Sequence, residues 1–167
     1  MAYLNAAQGA RREGAASAVG TADIAAAAVT SAKMAEDLVR TVQVNLSSAN
    51  ILAMNATPVT LIAAPGAGKI VIVEDILLKM VTTATAYANG GAVEFRYTDG
   101  SGAKVTADIA AAVITAGAGT TYTKVGGVIA SLTPVANAPI VITNATAAFI
   151  TGTGTGVLTI KYRIVTP

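Results

Sequence analysis

Residues 63–81, AAPGAGKIVIVEDILLKMV, join a tight glycine turn to the longest apolar, β-branched segment of the chain. Val and Ile are stiff at χ1 and favour extended backbone, and a Pro-Gly-x-Gly cluster marks where a strand begins. The stretch from Lys69 to Thr83 therefore reads as the central strand of a β domain. Gly68-Lys69 supplies only the end of a phosphate-loop pattern. G-x-x-x-x-G-K-[ST] requires glycine where Ala63 stands and a hydroxyl where Ile70 stands. The lysine must also open a helix whose N-terminal amides hold phosphate, and this one opens a strand. The segment is a turn and a strand, with no phosphate site.

The surroundings of that strand follow from composition. At 167 residues the chain is long enough for one core with an appendage. It is 53% hydrophobic and 4% aromatic, and only 12% charged. A soluble monomer typically carries roughly 25% charged residues, so much of this surface is expected to be covered by partners. The net charge of +2 is small. Residues 1–40 balance Arg11, Arg12, Lys33 and Arg40 against Glu13, Asp23, Glu36 and Asp37, which is no basic arm, and no nucleic-acid partner is expected. Cysteine and histidine are absent. That removes the usual zinc, copper, haem and iron–sulfur ligands and most triad chemistry, and no cofactor is expected. Residues 1–12 hold no apolar signal core, and the apolar runs fall short of a membrane span, so the expectation is cytoplasmic synthesis with no membrane partner.

The chain divides near residue 40. Residues 1–20 are Ala, Gly, Ser and Arg without apolar periodicity, which predicts an extended arm ordered by a partner. Thr21 is a fitting N-cap, Asp23 lies in the first turn, and Ile24, Ala28, Ala35 and Leu38 recur at helical spacing. From Thr41 the period becomes two: Thr41–Leu46 alternates as a half-buried strand. Ser47–Asn50 reads as a turn, and Pro58–Ala63 resumes β character. Asn89-Gly90-Gly91 marks another turn, before a strand over Ala92–Thr98 with Val93, Phe95 and Tyr97 on one face and Glu94 and Arg96 on the other. Asp99-Gly100 is a hairpin-type turn, and Thr106–Val113 repeats the helix start seen at Thr21. Strands are expected over 121–125, 139–143, 146–151 and 156–165, the last long enough to sit centrally. The predicted fold is all-β, an antiparallel β-sandwich or jelly-roll-like body over 41–167 with an extended and short-helical arm over 1–40.

No catalytic set emerges from the nine carboxylates. Glu74 and Asp75 are strand neighbours expected on opposite faces, so they cannot share a substrate. Glu36 and Asp37 read as helix-solvating residues. Asp99 with Ser101 reads as a turn, since calcium requires about six oxygen ligands and acids are sparse. Tyr87, Tyr97, Tyr122 and Tyr162 are scattered strand residues rather than a base-stacking platform. The chain is not expected to be an enzyme.

Thr21-Ala22-Asp23-Ile24-Ala25-Ala26-Ala27-Ala28-Val29-Thr30-Ser31-Ala32-Lys33-Met34-Ala35 resembles the T-A-D-I-A-D-G-A-V-T-S-A-K-L-A segments of tailed-bacteriophage fibres and other virion proteins. Ala26-Ala27 replaces the Asp-Gly of that motif and makes the arm more helical. The body, through Thr57–Lys69, Phe95–Gly102, Asn137–Ile140 and Ala148-Phe149, is similar to phage head-associated proteins. The resemblance implies a non-enzymatic virion component with a β-sandwich body, a homotrimer that binds the major capsid protein or another virion protein on the capsid surface. The expected function is capsid decoration or cement. The alternative is a tail fibre, spike or head fibre that binds host receptors. A single copy of the motif favours decoration, because a fibre shaft needs many repeats. The partner-binding residues expected on the arm are Arg11, Arg12, Ile24, Val29, Lys33, Met34, Leu38 and Arg40.

Overall fold

The computed structural model describes residues 38–126, 129 and 131–167, so the predicted arm helix lies outside the described residues. The body is all-β and antiparallel. Its strands are β1 (Arg40–Leu46), β2 (Val59–Ile62), β3 (Ile70–Thr82), β4 (Ala88–Asn89), β5 (Val93–Tyr97), β6 (Gly119–Gly126), β7 (Ile140–Asn144), β8 (Phe149–Ile150) and β9 (Thr155–Val165). Two short helices, α1 (Ser48–Ala53) and α2 (Ala111–Ile114), sit in the connections. The strands form a four-stranded sheet in the order β1-β9-β3-β6, a three-stranded sheet β2-β7-β5, and a small β4-β8 ribbon. One continuous apolar core joins Ile76, Leu78 and Met80 of β3 and Leu158 and Ile160 of β9 to Phe95 and Tyr97 of β5 and Ile140 and Ile142 of β7. The Tyr97 hydroxyl donates to the Val71 carbonyl at 2.6 Å, tying the two larger sheets through their shared interior. The architecture is sandwich-like.

The long apolar run forms the strand expected of it. β3 is flanked by β9 and β6, and the turn before it closes through the Lys69 amide donating to the Gly66 carbonyl at 3.2 Å. Gly66 and Gly68 both take positive φ, at 103° and 71°, which explains the glycines there. β9 is also internal, between β1 and β3.

β3 departs from the sequence reading at Glu74 and Asp75. Val73 faces Tyr162 and Asp75 faces Lys161, consecutive residues of β9, so Glu74 is the extra residue of a β-bulge. The buried row passes from Val71 and Val73 to Ile76, Leu78 and Met80, a change of parity. The two acids are therefore not split between the core and the solvent faces, as simple alternation predicted. Both stay off the core row and take separate partners: Glu74 accepts from Arg163 Nε at 2.7 Å, and Asp75 lies 3.6 Å from Lys124 Nζ.

Three further expectations change. Ser47–Asn50 is the capped start of α1 rather than a turn. The Ser47 Oγ accepts from the Asn50 amide at 3.1 Å, and Asn50 Oδ1 accepts from the Ser47 amide at 3.0 Å, a capping box. The helix read over Thr106–Val113 contracts to Ala111–Ile114, because Ile109 exchanges two backbone bonds with Val93, at 2.8 and 2.9 Å, and is drawn onto the edge of β5. The strand expected over 146–151 shortens to Phe149–Ile150, paired with Ala88–Asn89.

Candidate functional site

Of the eight residues expected to bind a partner, Arg11, Arg12, Ile24, Val29, Lys33 and Met34 lie outside the described residues. Leu38 and Val39 precede β1 and are 55% and 59% exposed, two apolar side chains in water where the chain enters the sandwich. Arg40 is the first residue of β1, half-buried opposite Tyr162, and so belongs to the body.

The most concentrated charge among the described residues lies on β5 and the segment that folds back over it. Glu94 is almost fully buried, because the segment 99–109 returns along β5 through bridges at Arg96–Lys104 and Val93–Ile109. Its carboxylate meets Arg96 Nε at 2.7 Å and Lys104 Nζ at 2.8 Å, and Lys104 also holds Asp108 at 2.7 Å. Arg96 donates in addition to the Gly102 carbonyl at 2.5 Å. Burial pushes the Glu94 pKa up, but the hydrogen bonds and charges of Lys104 and Arg96 outweigh it and hold the carboxyl below its ordinary range. The Asp108 and Glu94 carboxylates raise the Lys104 ammonium. Lys104 and Arg96 favour the Glu94 carboxylate, and Asp108 and Glu94 favour the Lys104 ammonium, so at neutral pH Glu94 is ionised and Lys104 keeps its proton. The cluster clasps a loop; a general acid needs its proton and a nucleophilic lysine needs its lone pair.

A glycine makes that clasp possible. A Cβ on Gly102 would stand 1.7 Å from the Tyr97 carbonyl oxygen, so only glycine lets the loop return so closely. Asp99 completes the turn by accepting from the Ser101 amide at 2.7 Å, the role read for it in the sequence.

Two surface features remain. The solvent face of the four-stranded sheet carries Thr41, Gln43 and Asn45 of β1, Val157 and Thr159 of β9, Leu77 and Lys79 of β3, and Tyr122 of β6. Gln43 donates to the Thr159 hydroxyl at 3.3 Å, and the Lys79 ammonium sits 6.0 Å from the Tyr122 ring centre. At one end of this sheet, Asn45, Leu46, Ser47, Asn50, Thr155, Gly156 and Val157 line a shallow cleft of about 380 Å³. Sequence reasoning missed the cleft because it depends on α1, whose capping box uses Asn50 where Glu or Gln is the usual signal. Among the described residues no helix is long and apolar enough to cross a membrane, and no three acidic side chains converge as a metal site.

No family model matches the chain, and no curated protein and no solved structure is significantly similar to it.

Proposed function

We propose that the chain is a non-enzymatic structural protein of a tailed-phage virion. In this reading it is a decoration or cement protein that binds the assembled head and stabilises the shell. The arm over residues 1–39 ties it to the major capsid protein or another virion protein, and the sandwich is displayed on the capsid surface as a homotrimer. The observation that carries the reading is the Thr21–Ala35 segment, with its likeness to virion proteins, joined to an all-β body at an exposed apolar pair, Leu38-Val39. Burying each aliphatic side chain contributes roughly 1.5–3 kcal/mol, while fixing the backbone of each arm residue costs roughly 1–2 kcal/mol. One arm alone therefore binds weakly, and several arms on one oligomer bind tightly through effective concentration. Co-sedimentation with phage heads tests the reading. Deletion of residues 1–39 is expected to leave a folded sandwich that no longer pellets with heads, and full occupancy by the truncated protein would overturn it.

The second reading is a fibre, spike or head-fibre protein that binds a host surface receptor. The cleft at Asn45, Ser47, Asn50 and Thr155 favours it, because amides and hydroxyls beside an apolar floor suit a sugar. Glycan-array binding that is lost in Asn45→Ala would support this reading over decoration.

A further inference from the structure

Among the described residues β6 is an edge strand with little of the usual protection. Among the described residues it pairs only with β3, over eight consecutive positions from Gly119 to Gly126 without a bulge. Its sequence, GTTYTKVG, has no proline and one charged residue, Lys124. Residues 119–122 are exposed whichever face of the sheet they occupy, and Tyr122 and Lys124 are 65% and 70% exposed. Natural sheets blunt such edges with charge, proline, bulges or a covering segment, because an unpaired row of amides and carbonyls is a template for another strand. The chemistry of the edge thus defines its ligand as an extended polypeptide.

We propose that this ligand is β6 of a second copy, added antiparallel across a two-fold axis at Thr123. In an antiparallel pair, directly opposed residues point to the same side of the sheet. With Thr123 opposite its symmetry mate, Tyr122 faces Lys124 on the solvent side, twice by symmetry, and Thr121 faces Val125 on the core side, also twice. The ring and the lysine stem and ammonium are complementary, as Lys79 already shows within one copy at 6.0 Å from the same ring. The two Lys124 side chains are not opposed, so the strand's only charge does not repel itself. Joining the edges makes one eight-stranded sheet from two sheets of four strands. The contact is independent of the three-fold assembly proposed above: it joins monomers into dimers, or trimers into hexamers.

The full chain has no cysteine, so single-cysteine variants report the contact cleanly. Opposed strand residues lie within disulfide range, about 4.5–5.5 Å between Cα atoms. Under mild oxidation Thr123→Cys is expected to give a covalent dimer at least ten times faster than Gln43→Cys, on the far edge of the same sheet. Light scattering should give a mass corresponding to an even number of protomers. Tyr122→Lys, which sets two cations opposite each other, should weaken the association at least tenfold, and Tyr122→Glu should not. Circular dichroism and thermal melting of each variant separate loss of the contact from loss of the fold. A monomer or a lone trimer at tens of micromolar would overturn the proposal, as would equal cross-linking of Thr123→Cys and Gln43→Cys. Failure of head binding with a β6-paired oligomer intact would overturn the decoration reading and leave this contact standing.

Discussion

At the scale of single residues, a few side chains hold the sandwich to one arrangement. Gly102 is the most demanding. Gly102→Ala drives a methyl into the Tyr97 carbonyl, and the loop must leave β5 and release the Arg96 bond. The expected loss is about 1–3 kcal/mol or more, read as a lower midpoint in urea unfolding. Glu94 and Tyr97 set opposite pH limits. The Glu94 carboxyl is held below its ordinary value of 4.5, so its contribution is complete above that pH and is lost as pH falls through the lowered value. Burial pushes the Tyr97 hydroxyl up to about 12, so its contribution is complete below pH 10 and is lost as pH rises toward 12. Urea midpoints against pH should therefore fall at both ends. Glu94→Gln should flatten the acid limb and Tyr97→Phe the alkaline one. Tyr97→Phe also forfeits the bond to Val71, about 1–2 kcal/mol. An acid limb unchanged in Glu94→Gln would show that other carboxylates control it.

At the scale of elements, the bulge in β3 makes a sharp prediction. Deleting Glu74 leaves Val73, Asp75 and Ile76 in regular in–out–in alternation, with both buried rows in place. The cost is then the half-buried Glu74–Arg163 pair, roughly 1 kcal/mol. Deleting Leu77 instead turns one half of β3 inside out and should abolish folding. Thermal melts of the two deletions decide it, and equal damage would contradict the bulge. Ser47→Ala removes the cap of α1 at about 0.5–2 kcal/mol. The long strands were legible because β3 opens on four consecutive β-branched residues, Ile70–Val73, and both β3 and β9 are rich in Val, Ile and Leu and free of proline. The errors fell where a tertiary contact outweighed a local signal. Ile109 answers Val93 across space and cuts a helix short, and an extra residue at Glu74 changes which face its neighbours occupy. Glu94 reads as a solvent residue by alternation, yet the returning loop buries it.

At the scale of the whole molecule, the proposed function assigns attachment to the N-terminal segment and display to the β body. The start of the first strand was legible from the change of period at Thr41, one residue after β1 begins. The surface was less so. An edge strand and a cleft arise only once strand order is set, and strand order depends on long-range pairing that periodicity does not encode. Of the expected binding residues, Leu38 sits exposed two residues before β1. Leu38→Asp should strip the protein from heads, whereas a few hundred millimolar salt should not, because apolar burial is indifferent to screening and exposed ion pairs are not. The measurement that bears most directly on the proposed function is cryo-electron microscopy of heads incubated with the full chain. The account predicts sandwich density on the outer surface of the shell, with residues 1–39 traced along the capsid subunits beneath it. Bare shells at saturating protein, or density confined to the tail, would contradict it.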